Sequence, residues 1–177
     1  MKIQTKIIAE IVVVVALSYA LNLVVLFRMP QGGSVTVVSM VPILWLALRR
    51  GTKIGVLAGV IFGLVDMMPQ PFVVHPVQFL LDYPLAFGSL GLAGLFQKHP
   101  IAGVVTGIFG RFVCHFVSGI VFFAMYAPSG MNPAVYSAIY NGSYLVVELV
   151  FSIVIMYVLV RRGVVSMYLW LDANRHQ

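Results

Sequence analysis

Long apolar runs, separated by short stretches rich in charge, proline and glycine, dominate this sequence. The runs cover approximately residues 5–27, 34–48, 54–68, 76–96, 101–127 and 134–160, and a polar tail follows at 161–177. A helix needs roughly 20 apolar residues to cross a bilayer. The pattern predicts an all-α polytopic membrane protein, with six transmembrane helices in a single domain over residues 1–177. The second and third runs are short, which predicts little tilt, a break or a flanking re-entrant loop.

The composition excludes an ordinary soluble domain. The chain is 61% hydrophobic and 9% charged, whereas soluble domains are roughly half apolar and a quarter charged. The single cysteine, Cys114, excludes an internal disulfide and a cysteine-rich metal site. Because the sequence also contains no metal or nucleotide motif of known spacing, we expect neither a metal ion nor a cofactor in this chain.

The distribution of basic residues predicts the orientation of the chain. The net charge is +6, but the basic residues are scattered at the ends of the runs and form no patch for nucleic acid. With the N-terminus inside, only Arg28 falls in an outer loop. Because cytoplasmic loops carry the excess of Lys and Arg, both termini are predicted to be cytoplasmic. The inner side then carries Lys2, Lys6, Arg49, Arg50, Lys53, Lys98, Arg161, Arg162 and Arg175.

Glycine recurs at every fourth position along the third run. Gly51, Gly55, Gly59 and Gly63 form one helix stripe without side chains, so another backbone can approach it closely. Two interpretations remain open, namely packing against another helix of the same chain and contact with another subunit.

Ionisable residues inside the apolar runs are expected to have a charged or hydrogen-bonding partner or a function, because a charge at the bilayer centre costs at least about 2.5 to 3.5 kcal/mol. At about 1.5 Å per residue, Arg111 and Glu148 lie about 24 and 21 Å below the outer face. Their similar depth predicts a structural ion pair. His115 lies one turn above Arg111 on the same stripe. Asp66, near the outer end of the third run, is predicted to be a solvated helix terminus.

Polar and aromatic residues cluster in the outer half of the predicted bundle. Asp82, His115 and Asn141 supply a carboxylate, an imidazole and a carboxamide among several aromatic rings. This set suits a flat, nitrogen-rich, positively charged solute, because the rings offer stacking and cation–π attraction. The alternatives are a satisfied core histidine and an interfacial aromatic belt. The rings belong to Tyr83, Phe122, Phe123, Tyr136, Tyr140 and Tyr144.

Catalysis finds little support in the sequence. Ser118 follows His115 within one turn, but no carboxylate is placed by sequence to orient that histidine. We therefore expect a binding or transport protein and not an enzyme.

Four segments, taken in order, resemble successive signatures of one family. They read "MVPILWLALRRG", "FLLDYPLAFGSLGLAGLF", "HFVSGIVFFAMYAPSG" and "AVYSAIYNGSYL". The family is that of the thiamine-specific S components, the substrate-binding subunits of energy-coupling factor (ECF) vitamin transporters. The resemblance implies a six-helix protein of the prokaryotic cell membrane that binds thiamine with high affinity near the outer face. It further implies a membrane coupling protein (T component) and two ATPase subunits as partners, so that ATP would be used by the partners.

The resemblance also assigns roles to residues. Asp82 stands where the family has an acidic ligand residue, and the loop from Pro30 to Ser34 matches the loop that closes over the site. On the first helix, Ala16 and Ala20 match the small-residue motif for docking on the coupling protein. The implied ligand-binding positions are Gly33, Phe72, Asp82, Tyr83, His115, Gly119, Phe123, Tyr136 and Asn141.

Three positions depart from the family pattern. Phe123 replaces a tryptophan associated with stacking on the ligand, Asp82 replaces a glutamate, and Gly33 occurs where a tryptophan is often found. A phenylalanine still offers a ring face, although its cation–π attraction is weaker than that of tryptophan. The ligand is therefore less firmly indicated than the family.

Three alternatives stay open beside thiamine binding. The first is the same architecture with another ligand, such as a thiamine precursor or a different vitamin. The second is an intramembrane enzyme that uses His115 and Asp82 in acid–base chemistry. The third is a channel or stand-alone transporter with proton coupling through Arg111, Glu148 and His115.

Overall fold

A computed structural model describes residues 2–36, 38–69 and 71–164 of the chain. This part is mostly helical, and a two-stranded antiparallel hairpin follows the first helix. The predicted polar tail lies largely outside the described residues, from position 165 onward, and this includes Arg175. The elements are α1 Lys2–Asn22, β1 Val25–Arg28, β2 Ser34–Thr36, α2 Val41–Arg50, α3 Thr52–Met67, α4 Pro76–Phe96, α5 Pro100–Phe122 and α6 Pro133–Arg161.

Long apolar helices with exposed apolar faces characterise the described part of the chain. Within it, four helices are long and apolar enough to cross a membrane, namely α4, α5, α6 and the part of α1 from Gln4 to Asn22. Helix α5 exposes an apolar residue at every fourth position. Such a stripe is costly in water and suits contact with lipid. The stripe consists of Val105, Phe109, Val113, Val117 and Val121.

The second apolar run differs from its prediction. A transmembrane run was predicted over 34–48, with little tilt, a break or a flanking re-entrant loop, but Ser34–Thr36 is a strand that pairs with β1, and the helix begins only at Val41. The first helix likewise ends at Asn22 and not near residue 27. The β-branched residues before Pro42 favour a strand, and Pro42 in the first turn favours a helix start. A glycine at φ +95°, Gly32, provides the turn of the hairpin.

Helix α2 is short and almost wholly buried. Its ten residues extend about 15 Å, half the thickness of the apolar core of a bilayer. Side chains from α1, α3, α4, α5 and α6 pack around it in one hydrophobic core. At its last turn, Arg50 forms two hydrogen bonds of 2.7 and 2.8 Å with Glu10 of α1, and Arg49 lies 3.3 Å from the same carboxylate. These arginines therefore pair with α1, although the sequence placed them in a loop.

The glycine stripe of α3 packs against α4 of the same chain. A Cβ atom added at Gly63 would lie 2.5 Å from the carbonyl oxygen of Tyr83, and one at Gly55 would lie 2.9 Å from Cα of Gly91. At Gly59 it would overlap the carbonyl group of Phe87. Gly55, Gly59 and Gly63 thus form an internal packing surface, which decides between the two interpretations for these positions. Gly51 lies before α3 at φ +86°, where an added Cβ atom would meet no other atom within 4 Å.

Helix α4 changes its winding along its length. It is α-helical over Pro76–Leu80, passes through a π-helical turn at Leu81–Leu85 and ends as a 3₁₀-helix over Ser89–Phe96. The π turn contains Pro84, which has no N–H to donate, so a regular α-helical ladder is interrupted there. This turn carries Asp82 and Tyr83, both of which belong to the site described next.

Candidate functional site

A cavity lies beside the hairpin, between the hairpin and α3 to α6. All nine positions that the sequence assigned to ligand binding line it, so residues distant in sequence share one surface. The lining also contains residues that the sequence did not indicate as ligand contacts, namely Asn22, Asp66, Gln78, Phe87, Arg111, Tyr126 and Ser137. Tyr140 and Tyr144, which also line the cavity, belong to the predicted aromatic cluster.

Asp82 is the centre of a hydrogen-bond network on the cavity wall. Its carboxylate accepts hydrogen bonds from Gln78 Nε2 at 2.7 Å and from Ser118 Oγ at 2.8 Å, and it lies 3.0 Å from His115 Nδ1. Gln78 lies one helical turn before Asp82, a spacing that the sequence displays. Three protein donors therefore hold this carboxylate in place.

The network also fixes the state of His115. Arg111 Nε donates a hydrogen bond to His115 Nε2 at 3.2 Å, so this ring nitrogen is the acceptor. The other nitrogen, Nδ1, then carries the proton and donates it to Asp82, which assigns a neutral imidazole from the network. A carboxylate does orient this histidine, contrary to the sequence-based expectation. Ser118, however, bonds to Asp82 and not to His115, so no nucleophile–base pair is formed.

The predicted ion pair between Arg111 and Glu148 is not formed. The guanidinium of Arg111 lies 4.2 Å above the ring of Phe87 and contacts Met40 Sδ at 2.9 Å. Glu148 accepts hydrogen bonds from the backbone N–H of Thr36 at 2.5 Å and from its hydroxyl at 2.8 Å. Thr36, the last residue of β2, is therefore the hydrogen-bond partner of Glu148, a role that depth alone had assigned to Arg111.

Asp66 is not the solvated helix terminus that we predicted. It lines the cavity, and its Oδ1 accepts a hydrogen bond from Asn22 Nδ2 at 2.5 Å. This bond joins the ends of α1 and α3, and the Asp66 carboxylate borders the cavity.

The hairpin is fastened to α6. The hydroxyl of Tyr140 accepts a hydrogen bond from the backbone N–H of Gly33 at 3.1 Å and donates to the carbonyl of Pro30. A Cβ atom at Gly33 would lie 3.0 Å both from the Tyr140 hydroxyl and from the ring of Tyr144. The close approach explains why glycine occurs at a position where the family pattern has a large side chain.

Aromatic rings line the opening and the α6 side of the cavity. Phe72 and Phe123 stack with their centroids 5.8 Å apart, and Tyr136 and Tyr140 stack at 5.9 Å. Asn141 is buried among them, where its Nδ2 donates to the carbonyl of Ser137 at 3.0 Å. Its Oδ1 accepts from Tyr144 at 3.1 Å, so the carboxamide keeps mainly acceptor capacity for a ligand.

Comparison with known proteins supplies the family. The sequence model of the thiamine transporter protein (Thia_YuaJ) family matches residues 8–166. The chain is 34% identical to the thiamine transporter ThiT of Bacillus subtilis, over 83% of this chain and 86% of that protein. It is 33% identical to the thiamine transporter ThiT of Lacticaseibacillus paracasei, over 88% and 87% of the two chains.

The chain belongs to the thiamine transporter family. Its fold is also similar to the solved structure of ThiT from Listeria monocytogenes, with a TM-score of 0.81 and 22% identity over 90% of this chain and 96% of that one. This member of the family is therefore a multi-pass protein of the cell membrane and a transporter protein, not an enzyme.

A second surface of this thiamine transporter family member lies along α1. Ala16 and Ala20 are both exposed there, and Ala16 lines an apolar groove between α1 and α3. Docking of a partner at these residues stays a prediction. The groove is lined by Ile11, Val12, Val15, Ala16, Tyr19, Ile61 and Val65.

Proposed function

We propose that this chain is the high-affinity thiamine-binding subunit of an ECF-type vitamin importer, which captures thiamine at the outer face of the membrane. The observation that carries the proposal is the convergence of the nine implied ligand-binding positions on one cavity. Membership of the thiamine transporter family supports thiamine as the ligand, and the two relatives compared above are thiamine transporters by name.

The chemistry of the cavity suits both rings of thiamine. The cationic thiazolium ring is attracted to aromatic faces, which Phe123 and Tyr136 supply. The aminopyrimidine has both donors and acceptors, and the carboxylates and the Asn141 carboxamide oxygen are acceptors for its amino group. Tight binding is expected because the rings are already stacked and the polar groups already held in place before a ligand enters.

We further propose that all six helices cross the membrane with both termini cytoplasmic. The excess of basic residues in the loops that this topology places on the inner side supports the orientation. Helix α2 is too short to cross alone, and the strand β2 with the residues that follow it completes the second crossing. Backbone of this kind is tolerated at membrane depth where it is buried in protein or lines a cavity.

The energy for uptake would come from partner subunits. Within residues 2–36, 38–69 and 71–164 no group of His, Cys, Asp and Glu residues suited to a metal ion occurs, and the sequence contains no ATP-binding motif. We propose that a T component docks on the exposed face of α1 around Ala16 and Ala20, and that two ATPase subunits drive transport. The apolar groove beside Ala16 supports this location, since small and apolar residues allow helices to approach closely in lipid.

The test is calorimetry on the purified chain with thiamine, and with its isolated pyrimidine and thiazole halves as competitors. Saturable one-to-one binding of thiamine, stronger than that of either half, is expected. Equal or stronger binding of one half would favour a precursor as the ligand, and no binding would reject the proposal. Uptake into vesicles that contain only this chain would contradict the need for partners.

A further inference from the structure

Two carboxylates line the cavity, and they differ in how many hydrogen bonds the protein itself gives them. Asp82 receives three donors on its two oxygens. Asp66 receives one, from Asn22 to Oδ1. Among the described residues, no donor reaches Oδ2 of Asp66. The Asp66 carboxylate is thus the one with capacity left for a ligand.

Its place in α3 makes Asp66 costly for the empty protein. It lies in the last turn of the helix Thr52–Met67, where the helix dipole is negative and disfavours a carboxylate. A neutral carboxamide from Asn22 compensates for this only in part, because it brings no positive charge. A cation that binds beside such a carboxylate therefore lowers the free energy of the protein.

The charges around the cavity leave room for one cation. With both carboxylates ionised, Asp66 and Asp82 contribute two negative charges and Arg111 one positive charge, while the hydrogen bonds of His115 correspond to a neutral ring. The cavity therefore carries one net negative charge before a ligand binds. Arg111 donates to His115, and His115 donates to Asp82. Among the described residues no hydrogen bond or ion pair joins Arg111 to Asp66, so the guanidinium acts on Asp66 only through space.

The thiazolium ring of thiamine carries its charge on a quaternary nitrogen that has no N–H to donate. Such a ring is recognised by aromatic faces and by a nearby negative charge, not by a hydrogen bond. Resting on the proposed function, we propose that Asp66 is the counter-charge for the cationic ring, whereas Asp82, already held by three protein donors, serves the aminopyrimidine part of the ligand. Asp66 would then determine the preference for a cationic over a neutral ligand.

The experiment compares thiamine with a neutral analogue in which a thiophene ring replaces the thiazolium ring. Calorimetry on the full chain in detergent measures both ligands for the wild type and for Asp66→Asn. We expect the wild type to prefer thiamine, and Asp66→Asn to weaken thiamine binding roughly tenfold while it changes binding of the analogue less than about twofold. The Asp66→Glu variant keeps the charge and should keep most of the preference.

Asp82→Asn is the matched control. Because the aminopyrimidine that Asp82 serves is common to thiamine and the analogue, this variant should weaken both ligands by similar factors. Equal losses for the two ligands in Asp66→Asn, or no loss for either, would overturn the inference, and Asp66→Ser serves the same comparison if Asp66→Asn fails to fold. A wild type that binds neither ligand would reject the proposed function itself, which is a distinguishable result.

Discussion

The hydroxyl of Tyr140 accepts a hydrogen bond from the backbone N–H of Gly33 at 3.1 Å. With its second bond, to the carbonyl of Pro30, the same hydroxyl holds both sides of the turn between β1 and β2. One side chain of α6 therefore fixes the part of the hairpin that borders the cavity, and this gives the hairpin a defined role in retaining a ligand.

The Tyr140→Phe variant removes both hydrogen bonds and keeps the ring. We expect thiamine to dissociate roughly three- to tenfold faster, because each lost bond is worth about 0.5 to 1.5 kcal/mol and they hold only the hairpin. Stopped-flow measurement of the dissociation rate tests this. Tyr157→Phe is the control, since that hydroxyl bonds to Arg161 near the opposite end of α6. Similar dissociation rates in the two variants would show that the hairpin does not retain the ligand.

Thr36→Val should destabilise the protein. It removes the hydroxyl that donates to buried Glu148 and leaves that carboxylate with the backbone N–H of Thr36 as its remaining donor in the described part of the chain. We expect a loss of about 1 to 3 kcal/mol in the free energy of unfolding. Thermal unfolding in detergent measures it. Thr106→Val is the control, because Thr106 bonds to a carbonyl of its own helix. Equal stability of the two variants would contradict the role given to this contact.

Gly59→Ala should separate α3 from α4. The added methyl group meets the backbone of Phe87, which cannot move aside like a side chain, so a cost of about 1 to 3 kcal/mol is expected. Gly142→Ala is the matched helical control, because its Cβ atom would approach only Phe112, at 3.9 Å. The control should be neutral or stabilise by about 0.5 to 1 kcal/mol. Melting temperatures in the reverse order would refute internal packing of the stripe.

Phe123→Trp should tighten thiamine binding. The larger ring provides a stronger cation–π attraction at the cavity opening, where Phe123 stacks on Phe72. We expect a gain of about 0.5 to 1 kcal/mol, seen by calorimetry as a two- to fivefold lower Kd. Phe109→Trp, on the exposed face of α5, should leave the Kd unchanged. A higher Kd in Phe123→Trp would indicate that the stacked rings at positions 72 and 123 leave no room for a larger side chain.

Much of the fold could be predicted because apolar length and spacing are local signals. The bounds of α3, α4 and α6 lie within about two residues of the predicted runs, since Pro76 and Pro133 mark helix starts plainly. The strand β2 could not be predicted from hydrophobicity, because a buried strand and a buried helix are both continuously apolar over a short run.

The errors at the site have a common cause. Depth along a helix is calculable from the rise per residue, but the partner of a side chain depends on which segments lie between the helices. The hydrogen-bond partner of Glu148 is therefore Thr36 and not Arg111, and that of Asp66 is Asn22, although the sequence predicted a solvated carboxylate. Gln78 had a usable signal in its four-residue spacing from Asp82, whereas Asn22 had none.

The late start of α2 at Val41 has a spatial consequence. Met40, directly before it, contacts Arg111 of the cavity lining, and the strand Ser34–Thr36 lies where the sequence predicted the start of a transmembrane run. A helix with side chains is about 10 Å across. Two more helical turns at the front of α2 would replace the strand that carries Ser34 into the cavity lining, without altering any residue that borders the cavity from the other helices.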